Sequence, residues 1–443
     1  MNDKNKYLER RSWYMYDFAV SAFTTTVITV FLGPYLTTIA KNAADSDGFL
    51  DIFGIPVFHG SFFTYCVSLS VILQVLLLPV LGAIADTSNY KKKLLIFSAY
   101  LGSIAAMFLY FLEDTNYLYG GALLIISNLA FGASMIFYNA FLNDIATEDE
   151  RDKVSSLGFA WGYFGGGILL AINLMLVMQA ENFGLTMGHA VRISLASAGL
   201  WWAIFTVFPA IHLKVRFTKA LPKGANLVGY GFKAIIQTIK EARKYPKTLL
   251  FLAAYLLYND GVQAVIVVSS QFGQEELGLD ISTLTTVILM VQFVALFGAI
   301  FFNKLAERFD SKKALLLSLL IWIGIVFYAF MFLNSTLGFY ILGAVIALVL
   351  GGTQALSRSL FSLLIPKGKE AEYFSLYEIS ERGTSWIGPL VFGMSLQFTG
   401  SYRIAIFSLG IFFLFGALLL LRINMTKAII ESGNQLPANL MRN

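Results

Sequence analysis

The chain has 443 residues, 57% hydrophobic and 13% charged, with a formal net charge of +5. A soluble protein of this size needs about a quarter of its residues charged, so the composition excludes a water-soluble globular protein. The basic residues are divided among separate loops and form no continuous phosphate-binding stripe, which excludes nucleic acid as a partner.

In chain order, apolar stretches long enough to cross a bilayer alternate with mostly short loops. They lie near Trp13 to Ala40, Ser61 to Ala85, Leu94 to Leu112, Leu118 to Leu142, Ser156 to Gln179, Val191 to His212, Leu249 to Phe272, Ser282 to Leu305, Ala314 to Leu333, Gly338 to Leu363, Phe374 to Gln397 and Arg403 to Ile423. Each has about the 20 residues a helix needs to span hydrocarbon. The expected fold class is an all-α membrane protein of about twelve transmembrane helices. The first segment is too long for a signal peptide and has no small-residue cleavage site, so it is expected to remain as the first helix.

Of the 32 Lys and Arg residues, 27 fall on one side, among them Lys91 to Lys93, nine between Lys214 and Lys247, and Lys304, Arg308, Lys312 and Lys313. Lys41, Arg192 and Arg403 border the other side, and Arg358 and Arg382 lie within predicted spans. By the positive-inside rule both termini and the long central loop are expected in the cytoplasm, with anionic lipid heads as a second attraction for these residues. Cys66 is the single cysteine, and His59, His189 and His212 are scattered near span ends, so neither a disulfide nor a metal centre is expected.

The long loop from Lys214 to Lys247 sits near the midpoint. It divides the chain into an expected N-terminal bundle of six helices (1–212), a linker (213–247), a C-terminal bundle (248–423) and a tail (424–443). In the linker Val228, Phe232, Ile235, Ile236 and Ile239 share a helical face while Lys233, Lys240, Arg243 and Lys244 lie elsewhere. That spacing predicts an amphipathic helix on the inner membrane surface, with a plain tether as the alternative. Weak internal repetition relates the halves. Ala85 and Asp86 before Lys91 to Lys93 recur as Ala306 and Glu307 before Lys312 and Lys313. Tyr16 and Asp17 on the first span match Tyr258, Asn259 and Asp260 on the seventh, and Gly132 on the fourth matches Gly351 and Gly352 on the tenth. Two pseudo-symmetric bundles of six helices follow.

The segments WYMYDFAVSAF (Trp13 to Phe23), YNDGVQAVI (Tyr258 to Ile266), GGTQALSRS (Gly351 to Ser359) and IPKGKEAEYFSLY (Ile365 to Tyr377) resemble the vacuole-effluxer-like branch of the major facilitator superfamily. The resemblance extends over essentially the whole chain. It implies the major facilitator fold, secondary transport by alternating access and a monomer, with amino-acid efflux the role attached to the fungal vacuolar members. The chain departs from the superfamily pattern at Thr87 and Asn89, where a basic residue and Gly are usual, and has Val20 where Asn is frequent in this branch.

An ionisable group in hydrocarbon costs at least about 2.5–3.5 kcal/mol on the insertion scale, so each must face a partner or a wet cavity. Asp260 stands near the middle of the seventh predicted span, with Asn259 adjacent and Gln263 about one helical turn on. Gln354 and Arg358 share a face of the tenth, Gln292 lies mid-depth on the eighth, and Glu378, Glu381 and Arg382 follow helical spacing on the eleventh. The first half offers Asn128, Asn139, Asn173, Tyr163 and Asp17, the last read as shallow. The candidate substrate- or proton-binding residues are therefore Asp260, Asn259, Gln263, Gln354, Arg358, Gln292, Glu381, Arg382 and Asp17.

Alternatives accompany several of them. Asp260 is either a substrate or proton site or a structural partner of Arg358 or Arg382. Asp17 also reads as a cap or an interfacial group. Arg358 either anchors a carboxylate in bidentate fashion, pairs structurally or snorkels to the inner surface. Gly158, Gly162, Gly165, Gly166 and Gly167 give the fifth span a small-residue face for close helix packing. Asp86, Lys91 and Lys92 are candidate gating residues, Asp86 through the positive amino-terminal end of the eleventh helix.

The sequence has no Walker loop, nucleophile elbow or metal-ligand cluster, and Gly229 with Gly231 is an isolated GxG. No enzymatic activity, ATP drive or cofactor is expected. The expected function is a proton-coupled secondary transporter of a small polar solute such as an amino acid, in a bacterial plasma membrane. The alternatives are an exporter of amphiphilic compounds, or a non-transporting sensor on the same scaffold.

Overall fold

The computed structural model describes residues 3–87, 90–145, 151–215, 236, 240, 243–365, 377 and 385–434. Among these, ten helices are long and apolar enough to cross a membrane. Two shorter apolar helices, Ile281–Ala295 and Ile387–Thr399, fall where the eighth and eleventh spans are expected. The helices carry apolar residues around most of their circumference, as lipid-facing helices do. The protein is a mostly helical, multi-pass membrane protein.

The first span joins helix Asp3–Phe23, a π-helical stretch Thr24–Phe31 and helix Leu32–Ala43. It is followed by helices His59–Thr87, Lys91–Phe108, Tyr117–Ala140, Arg151–Met178 and Met187–His212, the second to sixth spans. The seventh to tenth are Pro246–Leu277, Ile281–Phe309, Ser311–Met331 and Thr336–Leu363, and the eleventh is described over Ile387–Thr399. The twelfth comprises Tyr402–Ser408 and Gly410–Leu421. Local chemistry sets several starts: Pro246 opens the seventh helix, and the Ser335 side chain caps the tenth by accepting from the Gly338 amide.

The chain forms two compact units, one of Met1–Lys233 with Asp280–Thr285 and the other of Ala234–Leu279 with Thr286–Asn443. In the first, the first and fifth spans meet so closely that a Cβ on Gly165 would lie 2.3 Å from the Phe18 carbonyl oxygen. Gly132 on the fourth span leaves room for Gln74 of the second, whose amide donates to the Asn128 carbonyl at 2.8 Å. In the second unit Gly352 on the tenth span leaves the same kind of room for Phe302 of the eighth. The glycines that repeat in sequence thus do equivalent packing work in both halves.

A second correspondence involves the basic residues outside the basic-side loops. Arg192, in the sixth span, donates to the Tyr110 carbonyl at 3.4 Å and pairs with Glu113, at the end of the third. Arg403, at the start of the twelfth, donates to the carbonyls of Phe330 (3.2 Å) and Leu333 (2.8 Å) at the end of the ninth, and pairs with Glu276 at 2.5 Å. Lys41 lies in the last turn of helix Leu32–Ala43. All three cations lie at helix carboxyl ends, where the macrodipole is negative.

Two elements outside the spans were not expected from sequence. Phe49–Ile52 and Ile55–Phe58 form an antiparallel hairpin with Phe49 opposite Phe58. Its two-residue turn has φ of 54° at Phe53 and 83° at Gly54, and the Gly54 amide donates to Asp51 Oδ1 at 2.7 Å. In the tail, helix Met425–Glu431 buries Met425, Ala428 and Ile429. Asn434 Nδ2 then donates to the carbonyls of Leu363 (2.9 Å) and Ile365 (2.8 Å), tying the tail to the end of the tenth span. The amphipathic helix expected within 213–247 lies almost wholly outside the described residues.

Candidate functional site

Tyr258, Asn259 and Asp260 are consecutive buried residues on the seventh span. The Tyr258 hydroxyl is 2.7 Å from Ser357 Oγ on the tenth, and Ser357 donates back to the Thr353 carbonyl at 2.6 Å. Thr353 Oγ1 in turn accepts from the Trp322 indole of the ninth span at 3.1 Å. These bonds fix the rotation of the seventh helix against the tenth, and of the tenth against the ninth.

That rotation puts Asp260 inside the unit, 1% exposed, and no side chain among the described residues hydrogen-bonds its carboxylate. The Gly388 backbone of the eleventh span faces the carboxylate. The helices touch there: a Cβ on Gly388 would lie 2.8 Å from the Asp260 carbonyl oxygen and 2.6 Å from Ala264 Cβ. Asn259 is buried, and Gln263, Gln354 and Gln292 are half-buried. Arg358 is exposed near the end of the tenth span and makes no ion pair with Asp260. Glu378, Glu381 and Arg382 lie outside the described residues.

Asp17 is the counterpart in the first unit. Because the helix begins at Asp3, Asp17 stands well inside it and is buried, where the sequence placed it near the start of a span. It packs against the fifth span: a Cβ on Gly158 would lie 3.0 Å from Asp17 Oδ2, and one on Gly162 3.5 Å from the Asp17 carbonyl oxygen. Trp13 stacks on Tyr138 beside it, with ring centroids 4.3 Å apart. Each half therefore buries an aspartate of its first helix against glycine of its fifth.

Of the gating candidates, Lys91 is 3% exposed at the start of the third span and pairs with Asp144 Oδ2 at 2.5 Å. Its ammonium also lies 4.6 Å from the centre of the Phe141 ring. Lys92 is half-buried, and Asp86 lies in the helix His59–Thr87, with its side chain outside the described part. Sequence reasoning did not single out Asp144. In sequence it stands just past the fourth predicted span, four residues before Glu148, with nothing local to mark Lys91 as its partner. No group of three or more metal-ligating side chains occurs among the described residues.

The sequence profile of the family described as vacuole effluxer Atg22-like matches residues 5–433. The chain belongs to this family. It is 34% identical over 418 residues to the uncharacterized MFS-type transporter YxiO of Bacillus subtilis (strain 168), covering 93% of this chain and 94% of that one. It is 27% identical to autophagy-related protein 22 of Kluyveromyces lactis, covering 91% and 90% of the two chains. Its fold is similar to the solved D-xylose-proton symporter, with a TM-score of 0.66 at 14% identity over 96% of this chain and 98% of that one. At that identity the likeness carries the fold alone. It is the major facilitator fold, twelve spans in two halves, and the family member described here is a transporter of the major facilitator type.

Proposed function

We propose that this family member is a proton-coupled secondary transporter that moves a small polar solute, an amino acid, by alternating access. The observation that carries the reading is Asp260, a carboxylate buried in a membrane-spanning helix that faces the Gly388 backbone and, among the described residues, no cationic side chain. A charged carboxylate in that position is costly, so the group is held neutral by a proton or is neutralised by a bound cation. A proton, or the ammonium of an amino acid, satisfies it in one state and leaves it in the other. Asn259 and Gln263 flank it with neutral polar groups, and Gln354, Gln292, Glu381 and Arg382 complete the polar set in this reading. Arg358 is the anchor for the solute's carboxylate. Asp17 is the matching proton-binding group of the first half.

Support for export comes from the family's description as vacuole effluxers. In this reading Lys91 and Lys92 with Asp86 govern closure on the cytoplasmic side, and both termini are cytoplasmic, as the basic loops require. The Bacillus relative favours a bacterial plasma membrane. The working unit is a monomer of two six-helix bundles (1–212 and 248–423) joined by the 213–247 linker.

Purified protein in liposomes, challenged with pooled amino acids with and without a pH gradient, tests this. Both electrogenic current and isotope flux are followed, so that electroneutral exchange is also seen. Amino-acid flux driven by the pH gradient and lost in Asp260→Asn is expected. Equal gradient-driven flux in the Asp260→Asn variant overturns the role of Asp260, and tight amino-acid binding without flux overturns transport.

A further inference from the structure

The end of the twelfth span and the start of the ninth form an open surface pocket of about 350 Å³, lined by Asp310, Lys312, Arg422, Asn424 and Thr426 among others. Lys312 directs its ammonium at the carbonyls of Leu421 (3.1 Å) and Ile423 (2.8 Å), which neutralises the carboxyl end of the twelfth helix and leaves one donor. Asp310 is turned to its own helix, where Oδ1 accepts from the Lys312 amide at 3.1 Å. Arg422, which lines the pocket, is exposed and makes no ion pair with a described carboxylate. Lys313 and Lys427, both exposed, follow the lining residues in sequence.

A second observation concerns the same helix. Leu414, Leu418 and Leu421 are 49%, 44% and 57% exposed and lie at spacings of four and three, so they form one apolar stripe running along the twelfth span to Arg422. A hydrogen-bonding pocket with a net positive lining, Lys312 and Arg422 against Asp310, lies at the end of a membrane helix and is continuous with an exposed apolar stripe, which matches a molecule with an anionic head and acyl chains. We propose that this pocket is a binding site for an anionic glycerophospholipid, whose phosphate meets Arg422 and the free donor of Lys312 while its chains lie along Leu421, Leu418 and Leu414. The inference rests only on the chain being a membrane protein and is independent of what it transports.

Native mass spectrometry of the full-length protein in detergent tests the site with phosphatidylglycerol, phosphatidylcholine of the same acyl chains, and inorganic phosphate. The expected result is selective retention of phosphatidylglycerol. It should weaken about fivefold in Arg422→Gln, as removal of one basic residue at a membrane surface implies. Arg422→Lys restores most of the retention, and Lys93→Gln, a surface lysine of the other half, leaves it unchanged. Equal retention of phosphatidylcholine overturns the proposal, as does undiminished phosphatidylglycerol binding in a folded Arg422→Gln variant. Inorganic phosphate binding as well as the lipid also overturns it, because the apolar stripe then contributes nothing.

Discussion

Lys91 and Asp144 form an ion pair with Nζ and Oδ2 2.5 Å apart, the two side chains only 3% and 0% exposed. Removing one partner leaves the other charge buried. Lys91→Met or Asp144→Leu alone is therefore expected to destabilise the protein by about 3–5 kcal/mol, while the double replacement is near neutral. Thermal unfolding of the three variants in detergent checks this. Singles that unfold like the parent would mean that the pair is solvated in the membrane protein.

Arg403 serves the end of the ninth helix with a planar fork, reaching the Phe330 and Leu333 carbonyls, Asn334 Oδ1 at 2.8 Å and Glu276. Arg403→Lys supplies the charge but not the fork, so it is expected to recover less than half of the roughly 2–4 kcal/mol lost in Arg403→Met. Arg192→Met should cost less, about 1 kcal/mol, because its carbonyl contact is long and Glu113 is largely exposed. Chemical denaturation of the three variants ranks them.

These arginines show where the sequence was legible and where it stopped. Apolar runs and alternating basic loops are one-dimensional signals, so the spans and the relation between Gly132 and Gly352 could be read from residue order alone. That Arg192 and Arg403 lay on the unexpected side was equally visible, but their use at helix ends depends on which helices neighbour one another. The hairpin was missed because Phe53 takes a backbone conformation that usually calls for Asn or Gly, and Pro56 interrupts the second strand. Asp17 was read as shallow because hydropathy starts a span at its first apolar run, whereas the helix starts earlier among the polar residues Asp3 to Arg11. At the candidate site, Asp260 was visible as a charge in an apolar stretch, but that no cationic side chain among the described residues pairs with it is a property of its neighbours.

Glycines at close helix contacts separate packing from propensity. A Cβ on Gly165 meets the Phe18 backbone oxygen at 2.3 Å, and backbone cannot step aside. Gly165→Ala should therefore destabilise by about 1–3 kcal/mol. Gly324, exposed on the ninth span with nothing within 4 Å of its Cβ position, should be stabilised by Ala by up to about 1 kcal/mol. Opposite shifts in melting temperature are the expected outcome.

Asp280 precedes the eighth helix. Partial burial pushes its carboxyl up, but hydrogen bonds from Ser282 and Thr283 outweigh this and leave it below its ordinary value. A carboxyl lowered in the folded state contributes stability above its unfolded pKa, and that contribution is lost as pH falls through the folded value. Melting temperatures of Asp280→Asn and the parent should therefore converge as pH falls below about 4, since Asn keeps the capping acceptor without the titration. Asp280→Ala should cost about 1 kcal/mol at neutral pH.

Asp260 offers a test that separates a working carboxylate from a structural one without a transport assay. A buried ion-paired aspartate supports the fold, and its replacement by Asn would cost about 3–5 kcal/mol. A buried aspartate with no cationic partner, as Asp260 is among the described residues, opposes the fold, because the Gly388 backbone offsets only part of the desolvation of the carboxylate. Asp260→Asn and Asp260→Leu are then expected to raise stability by about 1–3 kcal/mol at neutral pH while abolishing coupled flux, the trade-off seen where function requires a strained group. Gly388→Ala should act differently, lowering stability by crowding the Asp260 carbonyl and Ala264 while leaving the carboxylate in place. A melting temperature that falls in Asp260→Asn as far as in Lys91→Met would show that Asp260 is paired, and the proton-coupling reading would lose its basis.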